Sequence, residues 1–195
     1  MSLLAPTLEA FFTERLRNQR GASPHTVASY RDCFRLLLGF VQEVTGKAPS
    51  ALDFEDVAAP VIGAFLDHLE ANRRATVTTR NARLAAIRSL FQFAALRHPE
   101  HAGLIQRVLA IPPKRVKRNQ VCFLTRPEVE ALLGSPDRST WLGRRDHLLL
   151  LIAVQTGLRV SELTGLTVGD VELGTGAHVR CRGKGRKERC TPLTA

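Results

Sequence analysis

Two adjacent prolines, Pro112 and Pro113, followed by the run KRVKRNQ, divide this sequence into halves that cannot share one continuous element. Neither proline has a backbone donor, so a helix arriving from the N-terminal side stops there. The stretch 112–126 then carries five basic residues and no acidic one, which favours an extended, solvated path. The flanking segments are milder, with 13 basic and 10 acidic residues in 1–111 and 10 and 8 in 127–195. The expected organisation is a domain over 1–111, a basic linker over 112–122, and a second domain over 123–195. A net charge of +10 concentrated at a junction points to a polyanion running past it, which suggests nucleic acid, although a solubilising linker would read the same.

The first half has helical periodicity throughout. Thr7 is expected to cap a helix to Arg20, with Leu8, Phe11, Phe12 and Leu16 on its apolar side. Ser23 and Pro24 read as the cap and first position of a second helix, running to about Thr45 and burying Val27, Tyr30, Phe34, Leu37, Leu38 and Val41. A third begins near Ala59-Pro60. A fourth spans about Thr76 to Arg97 with Leu84, Ile87, Leu90, Phe91 and Ala94 inward. A short helix over Ala102–Ala110 completes an all-α bundle.

The second half changes character after two more helices. Thr125-Arg126-Pro127-Glu128 has the form of a capping box and opens a helix to about Leu133. Trp141–Thr156 reads as a largely buried helix ended by Gly157, and a short helix follows over Val160–Leu166. Then the period becomes that of strands, Ala177–Arg182 and Lys187–Leu193, joined by the turn GKGR. In the first of these strands His178, Arg180 and Arg182 alternate, with Lys184 next in register, so one face is cationic.

Several function classes drop out on composition. The longest apolar run, Leu148–Val154, falls far short of the roughly 20 residues a membrane helix needs. The N-terminus lacks the basic start of a secretory leader, so a cytoplasmic location is expected. Cys33, Cys122, Cys181 and Cys190 form no C-x-x-C pair and no zinc spacing; free thiols and no metal are expected, and Cys181 and Cys190, which the hairpin could bring near each other, read better as reduced core thiols.

Two strings carry chemistry. In TGLRVSELTGL (156–166), Gly157 lets one helix reverse and puts Arg159 at the start of the next, beside free backbone N–H groups. That placement suits a phosphate, and an arginine fork grips two oxygens at once. Glu162, three residues on, lies on the same face and can orient Arg159, though a surface Arg–Glu pair at a helix start has the same sequence. In VRCRGKGRKERCTPL (179–193), glycines place Lys184 at a hairpin turn, where it can reach into a groove, though a general nucleic-acid hairpin or a solvated turn would look much the same.

Taken together, the TGLR-x-SEL helix, the short spacer and the GKG-x-K-E-R hairpin resemble the tyrosine recombinases, the Xer-like and integron or phage integrases. SPHTVASYRDCFRLLLGF and TTRNARLAAIRSLFQFA are similar to the two major-groove helices of that family's core-binding domain. The resemblance implies a mainly α fold: a SAM-like helical bundle, then an incomplete α+β catalytic domain with a β-hairpin. It implies double-stranded DNA as partner, self-association on DNA, no membrane, and neither metal nor other cofactor. In the family a tyrosine attacks a DNA phosphate to give a 3′-phosphotyrosine. By this likeness Arg159 clamps the phosphate, Lys184 protonates the leaving oxygen, and Glu162 supports Arg159. DNA contact is expected of His25, Thr26, Ser29, Thr76, Thr79, Arg80 and Arg83 on the two helices. In the linker it is expected of Lys114, Arg115, Lys117 and Arg118, and in the hairpin of Arg182 and Arg186.

The sequence also departs from the family. It holds no H-x-x-R, and its one tyrosine, Tyr30, belongs to a helix of the bundle. The expectation is therefore a recombinase that binds DNA but does not cleave it alone, so enzymatic activity of these residues stays open. The alternative is a non-catalytic fragment or regulator occupying recombination sites. A structural interaction protein is a third, less supported class. Two strands without further packing are marginal, so the hairpin is expected to fray.

Overall fold

The structure is a computed structural model that describes residues 3–117, 122–183 and 188–194. It divides into two compact units, residues 1–118 and 119–195.

The first unit is a helical bundle. Helix α1 (Leu4–Ala10) continues through a wider, π-type segment, Phe11–Gln19. The four long or amphipathic helices that follow are α2 (Pro24–Thr45), α3 (Ala59–Ala71), α4 (Val77–Ala95) and α5 (Ala102–Leu109). Ser23 and Thr76 cap α2 and α4 in the same way, each hydroxyl accepting the N–H three residues on at 3.2 Å. Gly46 ends α2 at φ 72°, a conformation that costs a side-chain-bearing residue about 1 kcal/mol. The first helix starts earlier than its sequence suggests. Thr7 is not its cap but a buried residue within it, its hydroxyl 2.8 Å from His98 Nε2, so the side-chain oxygen serves a distant ring rather than the local backbone.

Phe11 sits at the centre of the core, against Phe12, Tyr30, Phe34 and Phe93. Leu37, Val41, Ile62, Phe65, Leu84, Ile87, Leu90, Phe91, Ile105 and Val108 extend it across the bundle. Each such side chain contributes on the order of 2 kcal/mol by leaving water. Tyr30 packs flat on Phe11, ring centroids 6.2 Å apart, so the sole tyrosine is a half-buried packing residue.

The second unit is smaller. Helices α6 (Arg126–Gly134) and α7 (Trp141–Thr156) precede the single-turn helix α8 (Val160–Leu163). Strands β1 (Val171–Glu172), β2 (His178–Arg182) and β3 (Glu188–Pro192) form an antiparallel sheet in that order. The capping box holds in part: Glu128 Oε2 accepts the Thr125 N–H at 2.7 Å.

Two expectations need correction here, and a third strand that the sequence did not signal joins the hairpin. Helix α7 is not largely buried; only Gly143 in it is, while Trp141, Leu142 and Leu148 stand more than half exposed. The hairpin is better supported than two strands would be, because β1 adds a third. Val179 and Cys181 lie buried among Leu158, Ile152, Leu163, Leu166, Val171 and Leu193. Cys181 and Cys190 do not meet across it: Cys190 pairs with Arg180 and Cys181 with Arg189, so the two thiols occupy opposite faces, one buried and one exposed.

Candidate functional site

In the first unit the residues expected at DNA gather at the starts of two adjoining helices. Arg83 Nη1 donates to the Ser29 carbonyl at 3.2 Å, and the Cys33 thiol donates to the Arg83 carbonyl at 3.5 Å, which fixes α2 against α4. His25, Thr26 and Ser29 are exposed on α2, and Thr76 and Thr79 on α4. The Thr26 and Thr79 hydroxyls lie 2.9 and 3.0 Å from their capping partners Ser23 and Thr76. The exposed edge therefore shows two helix starts, where unpaired N–H groups and the helix dipole favour negative charge. Arg73 and Arg74 stand exposed in the turn before α4, with Arg74 at φ 51°. Sequence reasoning passed over them, though a basic pair next to a threonine cap was there to be seen.

Arg80 belongs elsewhere. It is 6% exposed, and its Nη1 donates to Asn81 Oδ1 at 3.3 Å. Its Nε lies 3.6 Å from Glu70 Oε2, close enough for charge pairing but too far for a hydrogen bond, and this Nε has no hydrogen-bond partner among the described residues. One helical turn beyond Thr76 its side chain runs inward, toward α3, rather than along the solvated face. Sequence spacing alone does not reveal that turn of the helix.

The basic stretch is not uniformly free. Lys114 exchanges two hydrogen bonds with Asn81, its N–H donating to Oδ1 at 3.0 Å and its carbonyl accepting from Nδ2 at 2.7 Å. Its ammonium reaches Glu70 at 2.5 Å. The extended path begins after this clip, with Arg115 and Lys117 exposed. Arg118 lies outside the described residues, as do Lys184 and Arg186.

In the second unit the Gly157 turn does what its sequence suggests. Gly157 adopts φ 60°, α7 ends, and Arg159 stands at the start of α8. Its side chain is 64% exposed, while that of Glu162 is 5% exposed. Glu162 Oε1 accepts from Arg159 Nη1 at 3.0 Å, and Oε2 accepts the Arg159 backbone N–H at 2.9 Å. A second guanidinium, that of Arg189 on β3, donates to the same Oε2 at 3.0 Å. The Glu162 carboxyl is held below the usual glutamate range. The Arg159 backbone N–H is the main cause, burial opposes it, and the Arg159 side-chain bond and the two arginine charges add to the lowering. Sequence reasoning found Arg159 and Glu162 and missed Arg189, for which only the strand register gives a signal. Arg182 is exposed and bonds Glu188 across the hairpin at 2.8 Å.

The first unit is thus a helical bundle with two capped helix starts at an exposed edge, and the second presents a carboxylate-braced arginine. Comparison with known proteins gives the particular kind. Residues 10–98 match the phage integrase N-terminal SAM-like domain and residues 122–195 the phage integrase family. The chain belongs to this family, the tyrosine recombinases. It is 62% identical over 190 residues to y4rC of Sinorhizobium fredii, which bears an integrase/recombinase name; the match takes in 97% of this chain and 57% of that protein. With y4rD of the same organism, similarly named, identity is 47% over 192 residues, covering 98% of this chain and 68% of the relative. Tyrosine recombinase XerC of Pelobacter propionicus is 35% identical over 93% of this chain and 57% of its own length. The chain thus spans between half and about two thirds of these relatives. The fold is shared with the XerH site-specific recombinase, solved bound to palindromic difH substrate in a post-cleavage complex. That likeness has a TM-score of 0.62 at 21% identity, over 90% of this chain and 51% of that one. Among the described residues no helix is long and apolar enough to cross a membrane.

Proposed function

We propose that this chain is the DNA-binding portion of a tyrosine-type site-specific recombinase, contributing part of the active site. The observation that carries the reading is the pairing of exposed Arg159 with buried Glu162. The Arg159 side chain stays 64% exposed while its partner carboxylate is withdrawn, which keeps part of the fork open to an anion. The brace fixes one edge of the fork and leaves the other N–H groups free for non-bridging oxygens, where they stabilise developing charge. The starts of α2 and α4 would lie on duplex DNA through His25, Thr26, Ser29, Thr76 and Thr79, with Arg115 and Lys117 along the backbone.

Lys184 is the candidate proton donor to the leaving oxygen. Among these residues the attacking group has no candidate, since Tyr30 is the only tyrosine and is stacked on Phe11. Binding without covalent capture is therefore expected of the 195-residue polypeptide. That is tested with nicked suicide duplexes in a denaturing gel. A salt-sensitive shift in native gels with no adduct surviving detergent supports the reading. An adduct that disappears in Tyr30→Phe would overturn the assignment of Tyr30, and absence of any duplex binding would overturn the rest. Self-association on DNA is part of the same proposal, read from the stoichiometry of the shifted complex.

A further inference from the structure

Arg189 is an unassigned residue in this site, and its contact with Glu162 is hard to dismiss as a surface pair. The carboxylate it meets is almost wholly withdrawn from water, and an ionised carboxylate there is costly unless its oxygens are satisfied. Arg159 alone does not serve both needs. Its Nη1 occupies Oε1, and only its backbone N–H reaches Oε2. Were a bound anion to draw Nη1 from Oε1, Arg159 would keep only its backbone bond to Glu162, and the shielded charge would need a second counterion.

From this geometry we infer that Arg189 is a positioning residue, the standing counterion of Glu162 that leaves Arg159 free to engage a phosphate. The charges support it. With Arg159 alone the cluster is a neutral pair with little attraction for an anion; with Arg189 it carries one net positive charge. Arg189 also comes from a different element, so its bond ties β3 to the first turn of α8, and with it the hairpin to the arginine. Among the described residues the charged groups acting on Glu162 are these two guanidinium groups. The inference rests on the reading of Arg159 as a phosphate ligand, and the test separates the two.

The whole chain, labelled with 15N and 13C, is compared with Arg189→Gln and Arg189→Lys. The Gln variant should raise the titration midpoint of the Glu162 carboxyl carbon by about one pH unit and shift or broaden the Arg159 Nε–Hε resonance. The Lys variant, which restores a charge, should return the midpoint most of the way. A purely steric role for Arg189 would leave the titration untouched. Unchanged backbone amides over Val160–Leu163 show that the turn is intact in each variant. If Arg189→Gln leaves both the midpoint and the Arg159 resonance where they were, the inference is wrong. A short duplex is then added to the unaltered chain. A moving Arg159 resonance upholds the phosphate reading, and in Arg189→Gln several-fold more duplex should be needed for the same movement. If the resonance ignores duplex in the unaltered chain while the Glu162 midpoint still depends on Arg189, the phosphate reading fails and the counterion role stands.

Discussion

Gly143→Ala should unfold the second unit selectively. Gly143 is the third residue of α7 and the only buried one in it. A Cβ built there would lie 1.8 Å from the Asp137 carbonyl oxygen and 2.4 Å from its carbon, both inside the 3.0 Å that real contacts respect. The obstacle is backbone, so nothing flexible can swing away. The same oxygen accepts from Thr140 N at 3.2 Å and Thr140 Oγ1 at 2.9 Å, while Thr140 Oγ1 accepts the Gly143 N–H at 2.9 Å. Moving the 137–140 turn aside therefore disrupts the cap of α7. Overpacking of this kind costs about 1–3 kcal/mol and a lost cap about 1, against about 1 returned by alanine's better helix propensity. The net is a loss of about 2 kcal/mol. In a unit of this size that lowers the melting midpoint by roughly 10 °C. Trp141 is the only tryptophan and Tyr30 the only tyrosine, so their signals report the second and first units separately. The Trp141 transition should fall and the Tyr30 transition should not. Gly39→Ala, in mid-α2 with nothing within 4 Å of the added carbon, is the control and should raise the Tyr30 transition slightly. A Gly143→Ala protein melting like the parent would refute the close approach of turn and helix.

Three further outcomes follow from particular contacts. Lys114→Gln should leave the salt dependence of DNA binding nearly unchanged, because its charge is already matched by Glu70. Replacing Arg115 and Lys117 together should lower the magnitude of the log–log slope by about 2. Acidification should loosen the second unit first. Glu128, Asp137, Glu162 and Asp170 all lie there with carboxyls held below their ordinary values by Thr125, Ser139, Arg159 and Thr167 in turn, against Asp56 alone among the described carboxyls of the first unit. Groups so depressed in the folded state stabilise it above their unfolded pKa and lose that effect as pH falls through the folded one. The Trp141 signal should therefore change below about pH 4.5 before that of Tyr30. Towards a thiol reagent, exposed Cys122 and Cys190 should react quickly; buried Cys181 should react slowly, as should Cys33, whose thiol burial pushes up to about 12.

The elements legible in the sequence are those that local chemistry decides alone. Ser23-Pro24 and Thr76 mark helix starts because a hydroxyl can satisfy a nearby N–H whatever surrounds it, and Gly157 marks a stop because few other residues tolerate its φ. The Arg159–Glu162 contact was equally readable, since three residues on a helix start place the groups together. What escaped depends on distant chain. Thr7 looks like a cap until His98, 91 residues away, takes its hydroxyl. Arg80 has the spacing of a surface residue until Glu70 and Asn81 draw it in. Arg189 pairs with a carboxylate 27 positions earlier, through a sheet whose first strand is only two residues long.

The same electrostatic device occurs in both units. In the first, Glu70 receives Lys114 from the exit of the bundle and Arg80 from α4. In the second, Glu162 receives Arg189 from β3 and Arg159 from the start of α8. Each time one largely shielded carboxylate holds two cations from separate segments; in the first unit Asp67 also stands 3.9 Å from Lys114. A single ion pair would have been a weak fastener, its attraction largely offset by desolvation. Two cations on one carboxylate change that balance, because releasing either still leaves the buried charge compensated. The fastened segment can then be a working one. In the bundle it is the start of the basic stretch, aimed by the Asn81 clip while Arg115 and Lys117 stay free. In the second unit it is Arg159, held by one edge of its fork with the other open. The sequence hides this arrangement because the shared partner is the acidic residue, not the basic ones.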